Sequence, residues 1–331
     1  MKFFYFFKDF FYLPIGYFSS LLAIFILIIH PGERIFNKNI IETKAIHWYH
    51  AKLMQLKKYN HPILFYGTAI FFPWLCWFIA AWLSHSEWWE NPTVVFWGSI
   101  LGITGLCGPF AIAMILILPD KEMRRELFSS VFSFKGIRFH FWLLTFGLFP
   151  ISILAAQAIS LLFGHSTSQF RIVENMSFSA GIFPAWFLLI IAPVLEEFGW
   201  HTYGIHCLRN RLNLLLTCVI FGVVWGVWHM PTSLIKGYYQ NVLVETGIIY
   251  SINFLVSLIP YLVIGNWIYY KTNRNMLLVV VFHLLAGFSN EVFQTHPDSK
   301  IIQTVLLLIF SVILVCKEKS FFLSKSHEQL L

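Results

Sequence analysis

The chain has 331 residues, of which 58% are hydrophobic and 12% charged, against roughly 25% charged residues in an ordinary soluble domain. This composition excludes a soluble globular enzyme and predicts an all-α protein, a polytopic transmembrane helix bundle. The net charge of +7 comes from basic residues in short loops between apolar runs, where they set membrane orientation, so no nucleic-acid partner is expected.

The first segment, residues 1–61, is expected to hold a membrane span at about residues 11–30, followed by a basic cytoplasmic stretch. The long apolar run lacks the short apolar core and small-residue cleavage site of a signal peptide, so it is interpreted as a retained span. In the basic stretch, His47 and His50 could touch a metal on one helix face. An amphipathic helix lying on the membrane surface is the favoured interpretation of the same residues.

Eight further apolar runs are each close to the roughly 20 residues that a membrane span needs. They predict an eight-helix core, to which the N-terminal run adds one span. The runs cover residues 62–83, 93–118, 140–163, 181 onward, 214–232, 247–270, 276–290 and 301–316.

Basic residues mark alternate loops between these runs. By the positive-inside rule, the turns at Arg124, Arg209 and Lys271 and the C-terminal tail face the cytoplasm. The expected protein is therefore a multi-pass integral protein of the plasma membrane of a prokaryote. The orientation of the N-terminus stays open, because Lys2 and Lys8 favour a cytoplasmic start whereas alternation over nine spans puts that end outside.

The five cysteines show no CxxC spacing and predict neither a disulfide framework nor a thiolate metal site.

Two adjacent glutamates stand at the end of the apolar run that begins at Gly181, within the sequence APVLEEFGWHTYGIHCLRNRLN. A carboxylate inside a membrane span costs on the order of 3 kcal/mol, so an intramembrane ionisable residue is functional by default. Glu196 and Glu197 therefore predict a functional site. Glu197 and His201 are four residues apart and share one helix face.

Two later spans carry further polar residues on an apolar background, with His229 on one and His283 and Asn290 on the other. At a rise of about 1.5 Å per residue, Glu196, His229 and Asn290 are expected at one depth. His201 and His283 are expected at a shallower depth. The sequence thus permits a site of two tiers that opens toward the cytoplasm.

The motifs in these three spans resemble a known family. EExxW at residues 196–200, followed by WxxxH at 225–229 and a histidine on a later span, resembles the CAAX protease and bacteriocin-processing family of intramembrane endopeptidases. That family is recognised by EExxxR, FxxxH and HxxxN/D on successive helices. The resemblance covers about residues 181–290.

Three positions depart from the family pattern. His201 stands where the family has arginine, Trp225 stands where it has phenylalanine, and Gly287 stands where it has asparagine or aspartate. Asn290, one helical turn further on, is the suggested replacement for the missing amide or carboxylate. His201 can carry positive charge beside Glu197 but cannot form the two-pronged contact of arginine. The alternative role is a neutral third metal ligand in the shallower tier with His283.

The resemblance implies an endopeptidase that hydrolyses a peptide bond in a membrane-tethered or prenylated, CAAX-like protein or peptide. A glutamate would activate water as general base, and the histidines would stabilise the oxyanion or hold zinc. Zinc assistance and a metal-free glutamate mechanism are left equally open. The implied catalytic residues are Glu196, Glu197, His229 and His283, with Glu196 favoured as base. The implied substrate-binding residues are His201 and Asn290. The implied metal ligands are His229 and His283.

The expected partners are a membrane-associated peptide or protein substrate and the lipid bilayer, and the oligomeric state is left open. The expected segments after residue 61 are the first transmembrane helices at 62–179, a catalytic core at 180–290, and a last helix with a basic tail at 291–331. Two other functions are kept. One is a proton-coupled transporter in which the glutamates relay protons, and the other is a non-catalytic binding or immunity protein of the same family.

Several other polar and aromatic residues are assigned no chemistry at this stage. The tryptophans beside the motifs are expected to pack or to anchor at the membrane interface. The remaining polar residues are expected in loops or at helix ends. The tryptophans are Trp200, Trp225 and Trp228, and the others are His165, His206, His296 and Glu291.

Overall fold

The computed structural model describes residues 58–174, 176 and 181–324. The expected N-terminal span at residues 11–30 and the pair His47 and His50 lie outside the described residues. The α-helices are α1 (Pro62–Ser84), α2 (Pro92–Leu106), α3 (Gly108–Ile117), α4 (Lys121–Phe132), α5 (Phe139–Ser160), α6 (Ala185–Gly199), α7 (Ile205–Arg209), α8 (Leu214–His229), α9 (Tyr239–Thr246), α10 (Ile248–Lys271), α11 (Met276–Glu291), α12 (Pro297–Lys317) and α13 (Lys319–Leu323).

Helices occupy all eight positions at which the sequence predicts a span. Among the described residues, five stretches are long and apolar enough to cross a membrane, namely Pro62–Ser84, Phe139–Phe163, Leu214–Leu234, Ile248–Lys271 and Pro297–Lys317. The pair α2 and α3 makes a sixth if it counts as one span bent by 41°. The predicted all-α transmembrane bundle is confirmed.

The predicted span that falls short is α11, with 16 residues. At a rise of about 1.5 Å per residue it is roughly 24 Å long, less than the roughly 30 Å of a hydrocarbon core. By contrast, α6, which carries the glutamate pair, continues without a break through the π-helical turn Trp200–Gly204 into α7.

Asparagine side chains begin the two helices that carry the motif histidines. Asn213 accepts a hydrogen bond from the backbone N–H of Leu216 at the start of α8, and Asn275 accepts one from Leu278 at the start of α11. Such N-caps satisfy a backbone donor that the helix itself cannot. Each cap fixes where its helix starts and therefore how deep its histidine lies.

The basic turns lie together at one end of the bundle. Lys58 pairs with Glu126 at 2.6 Å, which joins α4 to the start of α1. Lys271 pairs with Glu318 at 3.1 Å, and Asn275 donates to the backbone of the loop after α4. We call this the basic end. The expectation that these turns share one side of the membrane agrees with these contacts.

The other end, called the opposite end, holds the α1–α2, α5–α6, α8–α10 and α11–α12 connections. There the ring of His85 hydrogen-bonds the carbonyl of Leu234 at 3.0 Å, and the backbone N–H of Gln294 donates to Arg171 at 2.9 Å. The connection between α8 and α10 contains α9, a short helix that the sequence did not predict.

Candidate active site

The glutamate pair lies in the last turn of α6, and both side chains are buried. Gly199 lets this turn approach α3, because an added Cβ would stand only 2.6 Å from the carbonyl carbon of Pro109. A π-helical turn at Trp200–Gly204 follows directly. π-Helical turns are rare in proteins, and those that occur are often found at functional sites.

Glu197 is held by three side chains from three parts of the chain. Its Oε1 accepts a hydrogen bond from the hydroxyl of Tyr261 at 2.9 Å and lies 2.7 Å from Nδ1 of His283. Its Oε2 lies in contact with Nδ1 of His201, and the contact is an ion pair when that imidazole is protonated. Both carboxylate oxygens are engaged by the protein, so Glu197 orients the two histidines and is not free to face a substrate.

Glu196 has different surroundings. Its Oε2 accepts a hydrogen bond from the indole N–H of Trp225 at 2.8 Å, and its side chain lines a cavity. Adjacent helix residues point about 100° apart, which is why the two neighbouring glutamates reach different partners. The structure therefore distinguishes a glutamate that faces the cavity from one that holds histidines.

The two motif histidines use the same ring nitrogen for protein contacts. Nδ1 of His229 lies 2.8 Å from the carbonyl of Trp225, and Nδ1 of His283 lies 2.7 Å from Glu197. A carbonyl oxygen only accepts, so Nδ1 of His229 carries a proton, and Nε2 presents a lone pair when the ring is neutral. In both rings, Nε2 is left for a substrate or a water molecule.

The cavity has a volume of about 350 Å³ and lies between α6, α8, α10 and α11. Glu196, His229, His283 and Asn290 line it, whereas Glu197 and His201 do not. Four of the six residues that the sequence proposed therefore lie on the cavity wall, and two lie behind it. Asn290 is one turn beyond Gly287, and its Nδ2 donates to the carbonyl of Ala286 at 2.9 Å.

Sequence reasoning missed three residues of this site. Trp225, expected only to pack, donates to Glu196, and Tyr261 donates to Glu197. Glu291, expected only as a helix-end residue, is buried and lines the cavity. For Trp225 and Tyr261, the sequence did contain a signal, the polar atom on each aromatic side chain, because a buried tyrosine hydroxyl or indole N–H normally finds a hydrogen-bond partner.

The cavity extends toward the opposite end of the bundle. Tyr239 and Thr246 of α9 line it together with Thr295 and Lys300 near the start of α12. The sequence predicted a site that opens toward the cytoplasm and also placed the basic turns in the cytoplasm. The expectation that the site opens on the same side as the basic turns is wrong, because the cavity reaches the opposite end. Which of the two ends faces the cytoplasm stays a prediction.

The predicted metal ligands His229 and His283 lie on the cavity wall. Among the described residues, one group of three has metal-ligating atoms that all lie within 4.8 Å of one another, and it consists of His165, His296 and Asp298. His229 and His283, the expected ligands, belong to no such group. Each has Nδ1 engaged by the protein and Nε2 directed to the cavity, an arrangement that zinc-ligating histidines commonly show. Zinc at these two histidines stays a prediction.

Comparison with known proteins agrees with the motifs. A family model described as type II CAAX prenyl endopeptidase Rce1-like matches residues 178–289. The chain is 23% identical over 216 residues to lysostaphin resistance protein A of Staphylococcus haemolyticus, covering 65% of this chain and 55% of that protein. It is 32% identical over 268 residues to CAAX prenyl protease 2 of Methanococcus maripaludis, covering 80% of this chain and 97% of that protein. The chain therefore belongs to the Rce1-like family of type II CAAX prenyl endopeptidases.

Proposed function

We propose that this protein is an intramembrane endopeptidase that cleaves a peptide bond in a membrane-tethered protein of the prenylated, CAAX-like class. Family membership supports the reaction type. The observation that carries the proposal is the unequal pair of buried glutamates, of which Glu196 faces the cavity and Glu197 is tied to His201, His283 and Tyr261.

Glu196 is the general base of the proposed reaction. Its carboxylate takes a proton from a water molecule while the water oxygen attacks the carbonyl carbon of the scissile peptide bond. Nε2 of His229 presents a lone pair to the same cavity and accepts a hydrogen bond from the second O–H group of that water. The indole of Trp225 holds one oxygen of Glu196 at 2.8 Å, which leaves the other oxygen for the water.

His283 stabilises the oxyanion that forms when the carbonyl π electrons move to oxygen. The Glu197 carboxylate, 2.7 Å from Nδ1, favours the doubly protonated ring, and Nε2–H then donates to the oxyanion. Collapse of the intermediate breaks the C–N bond, and the Glu196 carboxylic acid gives its proton to the leaving nitrogen. The products are a carboxylic acid and an amine, which become a carboxylate and an ammonium group when the acid proton passes to the amine, and Glu196 returns to its starting form.

Glu197, Tyr261 and His201 are positioning residues in this proposal. His201 supplies the positive partner that the family's arginine would supply, and it acts on Glu197 from behind the cavity wall. Asn290 is the proposed substrate-binding residue, because it lies on the cavity wall one turn beyond Gly287. No step of this mechanism passes through a metal ion.

The cavity suits a substrate with an apolar anchor. Its walls carry Leu188, Leu189 and Leu258 together with the aromatic rings of Trp228 and Phe254. Burial of apolar surface contributes about 25 cal/mol per Å², so a lipid-modified segment gains affinity from these walls. The polar residues then select the peptide bond next to the anchor.

The proposal is tested with a membrane-tethered reporter in vesicles that contain the purified protein. Cleavage is expected in the parent protein and must persist when the proton gradient is collapsed, whereas a proton-coupled transporter would lose its function there. Glu196→Gln should abolish cleavage. Normal cellular function of a variant with both glutamates changed to glutamine would favour a non-catalytic binding protein and contradict the proposal.

A further inference from the structure

A second cluster of ligand-type side chains lies at the opposite end of the bundle, outside the catalytic constellation. It consists of His165, in the loop after α5, and of His296 and Asp298 at the start of α12. The loop and the helix start are far apart in the chain. The fold brings them together, and no part of the proposed reaction uses them.

The distances within the cluster match those between the ligands of a tetrahedral metal ion. Nε2 of His165 lies 3.3 Å from Oδ2 of Asp298, and Nδ1 of His296 lies 3.5 Å from the same oxygen. Zinc bonds to histidine nitrogen and carboxylate oxygen are about 2.0–2.1 Å, which separates neighbouring ligands at a tetrahedral ion by about 3.3–3.4 Å. These two separations suit such an ion, and the third, between the two imidazole nitrogens, is within 4.8 Å.

The carboxylate is oriented by a further residue. The hydroxyl of Tyr250 on α10 donates to Oδ1 of Asp298 at 2.9 Å, which leaves Oδ2 facing the two imidazoles. Hydrogen bonds of this kind to a ligating carboxylate are a regular part of metal sites. The two imidazole rings lie side by side with centroids 4.1 Å apart.

The backbone around the cluster is also tied. Gln294 donates to the carbonyl of Arg171 at 2.9 Å, and Val173 donates to the carbonyl of Val292 at 3.0 Å. These bonds hold the segment after α5 against the connection from α11 to α12. His165 and His296 are thus carried by two segments whose relative position is set by the fold.

We propose that His165, His296 and Asp298 form a binding site for a divalent transition-metal ion, with zinc as the best match. Two imidazoles and one carboxylate are borderline ligands that suit zinc and leave a fourth position for water. The ion would replace the 3.2 Å hydrogen bond from the backbone N–H of Asp298 to Nδ1 of His296. It would clamp the loop after α5 to α12.

The site lies beside the mouth of the catalytic cavity. Tyr250 and Pro297 line that cavity, and Tyr250 also holds Asp298. Metal binding would therefore stiffen the cavity wall at the opposite end without adding a ligand to the reacting groups. The inference does not depend on the proposed peptidase activity.

The test measures zinc bound by the full-length protein purified in detergent and stripped with a chelator. The double variant His165→Ala/His296→Ala should bind one zinc equivalent fewer than the parent. His140→Ala, which removes an exposed histidine at the basic end, serves as the matched control and should bind as much as the parent. Thermal unfolding without metal checks that all three proteins are folded.

Two further measurements make the test specific to this geometry. Zinc should raise the midpoint of thermal unfolding of the parent and of His140→Ala but not of the double variant, because a ligand that binds the folded state stabilises it. Tyr250→Phe should weaken zinc binding about 10- to 100-fold, as expected for a residue that orients a ligand. Equal zinc content in the parent and the double variant would overturn the inference, and so would unchanged zinc affinity in Asp298→Asn.

Discussion

The two glutamates should fail in different ways when each is changed to glutamine. Glu196 accepts one hydrogen bond, from Trp225, and a glutamine carbonyl can accept the same bond. Glu196→Gln should therefore keep the fold, with an unfolding midpoint within about 2 °C of the parent. It should lose the contribution of a general base, about 10²–10⁴-fold in kcat.

Glu197→Gln should instead lose stability. Glu197 is the charged partner of His201 and His283 and accepts from Tyr261. Removing one partner of a buried ion pair costs about 3–5 kcal/mol. At about 2 °C per kcal/mol for a chain of this size, the unfolding midpoint should fall by roughly 6–10 °C.

The assay pairs thermal unfolding in detergent with reporter cleavage in vesicles at a temperature where both variants are folded. Glu196→Ala is a useful companion, because it also removes the acceptor for the indole N–H and should be less stable than Glu196→Gln. Full activity in Glu196→Gln, with a folded but inactive Glu197→Gln, would reverse the two roles. Equal loss of stability in both variants would refute the unequal surroundings on which the roles rest.

Four further predictions follow from single contacts. Trp225→Phe keeps the ring but removes a hydrogen bond to a charged group worth about 1.5–3 kcal/mol, so kcat/KM should fall roughly 10- to 150-fold in the cleavage assay. His201→Arg places the family's arginine beside Glu197 and should retain turnover; a folded, inactive variant would contradict this role. Gly199→Ala should lower the free energy of unfolding by about 1–3 kcal/mol through overpacking, whereas Gly67→Ala, where a Cβ meets nothing within 4 Å, should not lower it. By the positive-inside rule, a single cysteine in the turn at Lys271 should react with an impermeant reagent only from the cytoplasmic side of the membrane. Labelling of that turn by reagent added outside intact cells would reverse the orientation.

The sequence by itself determined the class of fold and most of the site. A backbone in hydrocarbon must satisfy its own hydrogen bonds, so apolar runs of about 20 residues become helices, and helices stand at all eight predicted positions. The cost of a carboxylate in a membrane singled out Glu196 and Glu197. The helical repeat placed Glu197 and His201 on one face, and the ion pair between them follows from it.

Tertiary structure alone decided which glutamate faces the cavity. The helical repeat requires the two side chains to diverge but does not say what lies on either side. That depends on how α6 packs against α8, α10 and α11, which brings Trp225 to Glu196 and Tyr261 to Glu197. Sequence patterns report periodicity within one helix, whereas these contacts join helices far apart in the chain.

The direction in which the cavity extends and the cluster of His165, His296 and Asp298 were also decided by the packing of distant segments. The cavity reaches the opposite end because α9 and the start of α12 form part of its wall. The depth of each motif residue along its own helix does not predict that these two segments contribute to the wall. His165 and Asp298 meet only because α5 and α12 pack side by side. Local sequence sets what each helix can offer, and the packing of distant helices sets which of those groups meet.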